Sequence, residues 1–459
     1  MLIKTLRHIW RTWPLFSPLR KVKYRLHLKR KGWQECIARF FLYGQRPLSL
    51  LYSRRALQEY INHLDDFVCA AKAPFVPDSN EPVPAEKAPR VIAYYLPQFY
   101  TFPQNDAWHG RGFTEWTTAG KGFPMFAGHY QPHIPYDVGF YSLKDTEVMH
   151  RQVELAQRYG VSGFCFYYYW FSGKRLMEKP LENFLKDKTL HFPFCLCWAC
   201  ERWSKRWDGG TQELLMDSYL QEGDARHFFA DILPFVEDER YIRLGGRPLL
   251  QLYHVRQFPH DVYMRFLTEL QDLAEKQGFR FHISIALTND LYAEVDYTKI
   301  QPADWGADSF VEFPPHGRLR FDDMPRRRDL RFVNPCFHGK IYDMNEFFEN
   351  RQYEVPLVQG KCFRTVFPSW DNTARKWQTS AMVYTNITPE RYGQWLESSL
   401  RYTQHSFDAE EQLVFVNAWN EWGEGAYLEP DIYYGYAYLT ETRRAIQRVA
   451  GNSHLTKAT

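Results

Sequence analysis

Eight short apolar runs recur along the chain, at residues 91–96, 163–168, 192–198, 248–253, 281–287, 309–313, 362–367 and 413–417. Most are rich in β-branched or aromatic residues and lead into a polar or Gly- and Pro-containing loop. Short, mainly apolar runs of this length read as buried strands. Between many of them the apolar positions recur with helical spacing, at 145–159, 225–236, 261–277 and 389–405, and again after the last run at 435–449. Strands alternating with helices imply an α/β fold with a parallel sheet. Eight of them over roughly 360 residues predict a (β/α)8 TIM-type barrel with long βα loops, with an open doubly wound sheet as the alternative.

The pattern also divides the chain. Residues 1–70 form a basic N-terminal region, helical at 56–70, and residues 71–89 are a Pro-rich linker. The barrel domain occupies 90–450, and 451–459 is a tail. Charge sharpens this division. Residues 1–55 hold 14 Lys/Arg and one acid, Glu35, while the rest holds 43 basic and 53 acidic residues. The net charge of +3 therefore hides a basic arm on an acidic body. The arm interleaves Arg and Lys with Leu2, Ile3, Leu6, Ile9, Trp10, Trp13, Leu15 and Phe16, the composition of a segment lying on an anionic membrane surface. Packing on the acidic body is the second reading, and nucleic acid the least favoured.

No segment reaches the roughly 18 apolar residues of a spanning helix, and no apolar core follows the positive start as a signal peptide requires. Eight scattered cysteines lack the spacing of a secreted disulfide framework. Cys195, Cys197 and Cys200 have no second pair at zinc-site distance and read as small apolar residues. The expected location is the cytoplasm, peripheral on the inner membrane. No feature calls for a metal or cofactor.

In a barrel of this kind the chemistry sits where the strands end. The ends here carry Tyr94 and Tyr95, Tyr169 and Trp170, Glu201, Tyr253 and His254, Trp370 and Asp371, and Asn420 with Trp422. The eighth run ends in Glu421 and Glu424, three residues apart and interleaved with Trp419 and Trp422. Paired carboxylates serve general acid/base and nucleophilic work on glycosidic bonds, and indoles suit the apolar faces of sugars. Closely spaced carboxylates favour a retaining layout. An acid at neutral pH needs a raised pKa, which an aromatic wall such as Trp422 and a neighbouring carboxylate would supply to Glu424.

Several strings resemble the WbsX family, which is encoded with bacterial surface-polysaccharide genes and related to glycoside hydrolase family 99. They are Tyr94-Tyr95-Leu96-Pro97-Gln98-Phe99, Trp108 with Gly112-Phe113-Thr114-Glu115-Trp116, Gly128-His129-Tyr130-Gln131-Pro132, Trp207-Asp208-Gly209, Phe367-Pro368-Ser369-Trp370-Asp371-Asn372-Thr373 and Trp419-Asn420-Glu421-Trp422-Gly423-Glu424-Gly425. The resemblance covers about residues 90–447 and implies a (β/α)8 barrel. Members of this family are often labelled glycosyltransferases, whereas the hydrolase relatives are endo-acting α-mannosidases and mannanases. Carried over, Glu421 would deprotonate a sugar 2-hydroxyl to give a 1,2-anhydro intermediate. Glu424 would protonate the leaving oxygen and then activate water. Tyr94, Tyr95, Trp116, Tyr169, Trp170, Glu201, Tyr253, His254, Trp370, Asp371, Asn420 and Trp422 would bind substrate. Two departures stand out: Gly423 where the hydrolases usually have His, and Cys200 and Arg202 flanking Glu201 where the family commonly has Asn.

The resulting expectation is a carbohydrate-active enzyme that cleaves or transfers glycosidic bonds of an α-mannoside or related hexose. Its substrate would be an oligo- or polysaccharide, lipid-linked or free, in lipopolysaccharide, O-antigen or other surface-polysaccharide metabolism. A sugar-nucleotide-dependent glycosyltransferase is the alternative, although the chain has neither Asp-x-Asp nor Gly-x-Gly-x-x-Gly. A non-catalytic carbohydrate-binding protein is the third reading.

Overall fold

Eight parallel strands close on themselves. They are β1 (Arg90–Tyr95), β2 (Val161–Phe171), β3 (Phe194–Ala199), β4 (Arg247–Tyr253), β5 (His282–Leu287), β6 (Ser309–Glu312), β7 (Cys362–Val366) and β8 (Leu413–Val416). Each pairs with the next in chain order, and β1 closes the ring on β8 with Val91 opposite Val414. The eight apolar runs are thus the eight strands of a (β/α)8 barrel. The computed structural model describes residues 74–452 except 83–87, 205–212, 290, 292–298, 318, 320–325, 328–329, 334–336, 359 and 377–379. The basic arm, the helix expected at 56–70, the Trp207-Asp208-Gly209 motif and residues 453–459 lie outside the described residues. The chain divides into two compact units after Gln58, and the barrel belongs to the unit Glu59–Thr459.

The strands are buried on both faces because helices cover the outside and side chains fill the inside. Every residue of β3 and β8 is buried, Cys195 and Cys197 included. Helix Thr146–Arg158 starts where Asp145 accepts the Glu147 N–H, and helix Pro389–Ser406 where Thr388 accepts the Arg391 N–H. The latter packs on helix Ala437–Asn452 through Gly393, where a β-carbon would stand 2.6 Å from Glu441 Oε2. A side chain there would have to displace the Glu441 carboxylate. Among the described residues, no helix is long and apolar enough to cross a membrane.

Among the described residues a 3-10 turn, Pro302–Trp305, follows β5. Beyond β6 the chain builds a small sheet in which Met382–Thr385 lies between Lys340–Asp343 and Trp370–Asp371. It has its own core of Met125, Phe126, Phe337, Ile341, Ala381 and Val383. This sheet braces the loop after β7.

Part of the Pro-rich stretch is fastened to the barrel. Val76 bridges Gly435, Asp78 accepts from Tyr159 and Arg158, and the buried Arg443 guanidinium donates to the carbonyls of Ser79 and Glu81. Arg443 also lies over the Tyr159 ring, 4.8 Å from its centre. Residues 74–82 are therefore a strap on the barrel unit.

Candidate active site

The C-terminal ends of the strands surround a cleft of about 230 Å³. Loops after seven strands contribute: Gln98 and Glu115 after β1, Tyr169 at the end of β2, Glu201 and Trp203 after β3, Tyr253 from β4, Phe313 and His316 after β6, Trp370, Asn372 and Arg375 after β7, and Asn417, Glu421 and Glu424 after β8. Aromatic walls with a few convergent charges are the character of a small-molecule or sugar site.

The loop after β8 is a tight hairpin. Asn420–Glu421 pairs antiparallel with Ala426–Tyr427, and a 3-10 turn, Trp422–Glu424, joins them. Gly425 closes the turn at φ 61°, and a β-carbon there would meet the Asp371 backbone at 3.0 Å. The β7 and β8 loops thus touch backbone to backbone. Asn420 ties the hairpin to the end of β1, accepting the Leu96 N–H at 2.7 Å and donating to the Leu96 carbonyl at 3.1 Å.

Between the two carboxylates lies Arg375. Its Nη2 is 2.6 Å from Glu115 Oε1 and 3.2 Å from Glu421 Oε2, and its Nη1 is 3.8 Å from Glu424 Oε1. Burial pushes Glu421 well above the usual carboxylate range, with Glu424, Glu115 and Glu201 adding to the rise and Arg375 opposing it. Burial also pushes Glu201 up to about 7, against the pull of His254 at 3.8 Å. An acidic cluster with one carboxyl strongly raised is the electrostatic pattern that acid/base chemistry needs.

Strand alternation sorts the expected binding residues. On β2, Tyr167 and Tyr169 face the cleft, whereas Trp170 points outward, packs on Phe228 and donates to Asp231 at 2.9 Å. On β1, Tyr94 turns into the barrel and donates to Gln251 at 2.7 Å, below the cleft. Tyr95 faces the outer layer and donates to Gln152 at 2.7 Å. Neighbouring residues on one strand cannot share a face, so each aromatic pair divides. Tyr169, Glu201, Tyr253 and Trp370 line the cleft with Glu421 and Glu424.

The others stand one layer back. Trp116 donates to the Tyr141 carbonyl and packs edgewise on Tyr141. Asn420 is the backbone clamp just described. His254, in the left-handed region at φ 64°, approaches Glu201 from behind. Trp422 is fully buried, stacks on Tyr427 at 3.8 Å and donates to Glu429 at 2.6 Å. It does not wall Glu424, so the expected source of that acid's environment is corrected. Asp371 accepts from His129 at 2.6 Å, Gln131 at 2.7 Å and both donors of Thr373. The Met125 N–H donates to His129 Nδ1, so Nε2 carries the proton shared with Asp371. Through Thr373, Asp371 starts the short helix Thr373–Lys376 that delivers Arg375. Burial alone would raise the Asp371 carboxyl, but His129 and His133, the latter at 3.7 Å, hold it well below the usual carboxylate range.

Arg375, Asn372, Trp203 and His316 were not singled out as site residues from the sequence, nor was Glu115 beyond its motif. Asn372 and Glu115 sit inside quoted motifs, a signal that was available. Arg375 lies two residues past one, and nothing local marks it. Among the described residues, no group of three or more His, Cys, Asp or Glu side chains could hold a metal ion.

Residues 91–442 match the family model described as Glycosyltransferase WbsX. Two curated relatives, both named "Uncharacterized protein WxcX", from Xanthomonas campestris pv. campestris strains B100 and ATCC 33913, are each 38% identical over 358 residues. The alignment takes in 78% of this chain and 50% of each relative, so the chain spans about half the length of the curated relatives it matches. Among solved structures, the GH99 endo-alpha-mannosidase of Bacteroides thetaiotaomicron aligns at 12% identity and a TM-score of 0.48, over 80% of this chain and 98% of that one. The family match spans most of the barrel and includes Glu421, Glu424 and the strings around them. The chain belongs to the WbsX family.

Proposed function

We propose that this chain is a carbohydrate-active enzyme of surface-polysaccharide metabolism that cleaves or transfers a glycosidic bond with retention. Glu421 acts as base toward a sugar hydroxyl, and Glu424 protonates the leaving oxygen and then activates the acceptor. The observation that carries this reading is the pair of carboxylates at one end of Arg375, inside a cleft walled by Tyr167, Tyr169, Trp203, Tyr253, Phe313 and Trp370. Such rings suit the apolar faces of a hexose, and acids between them suit its hydroxyls and bridging oxygen. The substrate is an oligo- or polysaccharide of α-mannose or a related hexose, including its lipid-linked precursor.

A second reading, transfer from a sugar nucleotide, is favoured by the family's description and by the adjacent cations Arg375 and Lys376 in the cleft lining. One assay separates them. The protein is incubated with α-linked manno-oligosaccharides and with lipid-linked glycan, with and without sugar nucleotide, and products are resolved by mass. Product without nucleotide is expected, dependence on nucleotide favours the second reading, and saturable binding without product favours a lectin-like protein.

The basic arm at 1–55 is proposed to hold the enzyme on anionic membrane. Flotation with anionic liposomes should lift the full chain and leave a chain lacking residues 1–58 behind. Equal flotation of the two would end the idea.

A further inference from the structure

Gly423 stands between the two carboxylates, and its φ lies outside the left-handed region. Its backbone therefore does not require glycine. Its surroundings leave no room for a side chain unless the Glu115 carboxylate and Arg375 give way. A β-carbon would lie 2.4 Å from Glu115 Oε1, 3.1 Å from Arg375 Nη2 and 3.3 Å from Thr118 Cγ2. The volume a side chain would fill is taken by the Glu115–Arg375 ion pair. Both partners are delivered by short helices from other loops. Thr114 caps the helix Glu115–Ala119, and Asp371 starts the helix Thr373–Lys376. Glu115 is only 4% exposed, and its Oε1 lies 2.6 Å from Arg375 Nη2.

We infer that Glu115 and Arg375 are a positioning pair, seated in the room left by Gly423: Glu115 fixes Arg375, and Arg375 opposes the protonation that burial favours in Glu421, so that this carboxyl can give up its proton and serve as base. The inference rests on the reading of Glu421 as the base. A base must be ionised, and several carboxylates crowded into one cleft cannot all ionise at neutral pH. The groups facing Glu421 are Arg375, Glu424, Glu115, Glu201, Tyr167 and Tyr169. Of these, Arg375 is the cation in contact with Glu421, at 3.2 Å, and Lys376 lines the same cleft. The same nitrogen, Nη2, touches Glu115 and Glu421, so Glu115 fixes where the positive charge stands relative to the base. A lysine would bring the charge without the fork that lets one side chain span three carboxylates.

The test reads Glu421 directly, whether or not a substrate is in hand. Infrared difference titration of the full chain, referenced to Glu421→Gln, follows the carboxyl band of this residue with pH. Arg375→Gln is expected to raise the midpoint by about one pH unit or more, a tenfold change in ionisation constant. Arg375→Lys restores part of the shift. Gly423→Ala crowds Nη2 away from Glu421 and also raises the midpoint, and this variant and Arg375→Lys carry the test if Arg375→Gln does not fold. Midpoints unmoved by Arg375→Lys and Gly423→Ala, or by a folded Arg375→Gln, overturn the inference. Absence of product in the glycan assay with these shifts present would instead count against the functional reading alone.

Discussion

Trp422 donates its indole N–H to Glu429 at 2.6 Å, so a ring that sits between the two site carboxylates in sequence is anchored behind them in space. Glu429 also accepts from Trp419 at 3.2 Å, Tyr141 at 3.0 Å and Gln152 at 2.7 Å. One buried carboxylate thereby fixes both indoles of the β8 loop and, through Tyr141 and Gln152, the elements beside it. Replacing Glu429 with Ala would strand four buried donors and cost on the order of 3–5 kcal/mol of stability. Chemical denaturation checks this. Glu429→Gln, which keeps the volume and one acceptor, should lose clearly less.

Stability should fall as pH rises through the neutral range. Burial pushes both Glu201 and Glu429 up to about 7, against 4.5 for an ordinary glutamate. Between those values the folded chain retains protons that the unfolded chain has released, so their contribution is whole below 4.5 and lost as pH passes 7. Melting temperature measured from pH 5 to 8 should decline on this account, and Glu201→Gln should flatten the slope. A slope unchanged by that substitution would show that Glu201 does not titrate in this window.

The barrel was legible because its strands are continuous apolar runs between turn residues, a signal carried within each stretch of a few residues. The site was legible in part. Glu421 and Glu424 lie on one hairpin and Glu201 ends a strand. Strand alternation, which divides Tyr94 from Tyr95 and Tyr169 from Trp170, depends on which face looks inward, and an all-apolar strand does not declare that. The grip of Arg375 on Glu115 and Glu421 joins three loops, reaching 260 residues back along the chain and 46 forward. Only closure of the barrel brings them together. Gly423 reads in sequence as a lost side chain, while in the folded chain it is the room that lets the ion pair in.

Asp371 should act on the site through the helix it starts. Asp371→Ala removes the acceptor for His129, Gln131 and Thr373 and frees the turn carrying Arg375. A loss of about 3 kcal/mol is expected for breaking a buried charged network of this kind. The native carboxyl is held well below 3.8, so its stabilisation is present above that value and disappears as pH falls toward the folded pKa. Acid unfolding should therefore begin at higher pH in the wild type than in a matched Asp371→Asn chain that has already lost this charge, once the two curves are normalised to their own neutral-pH stability.

The most direct test compares wild type, Glu421→Gln and Glu424→Gln on a lipid-linked or free glycan without sugar nucleotide, with folding verified by circular dichroism. The account predicts glycan products from the wild type and a loss of at least about a hundredfold in rate for each variant. Folded variants that turn over glycan as fast as the wild type would contradict it.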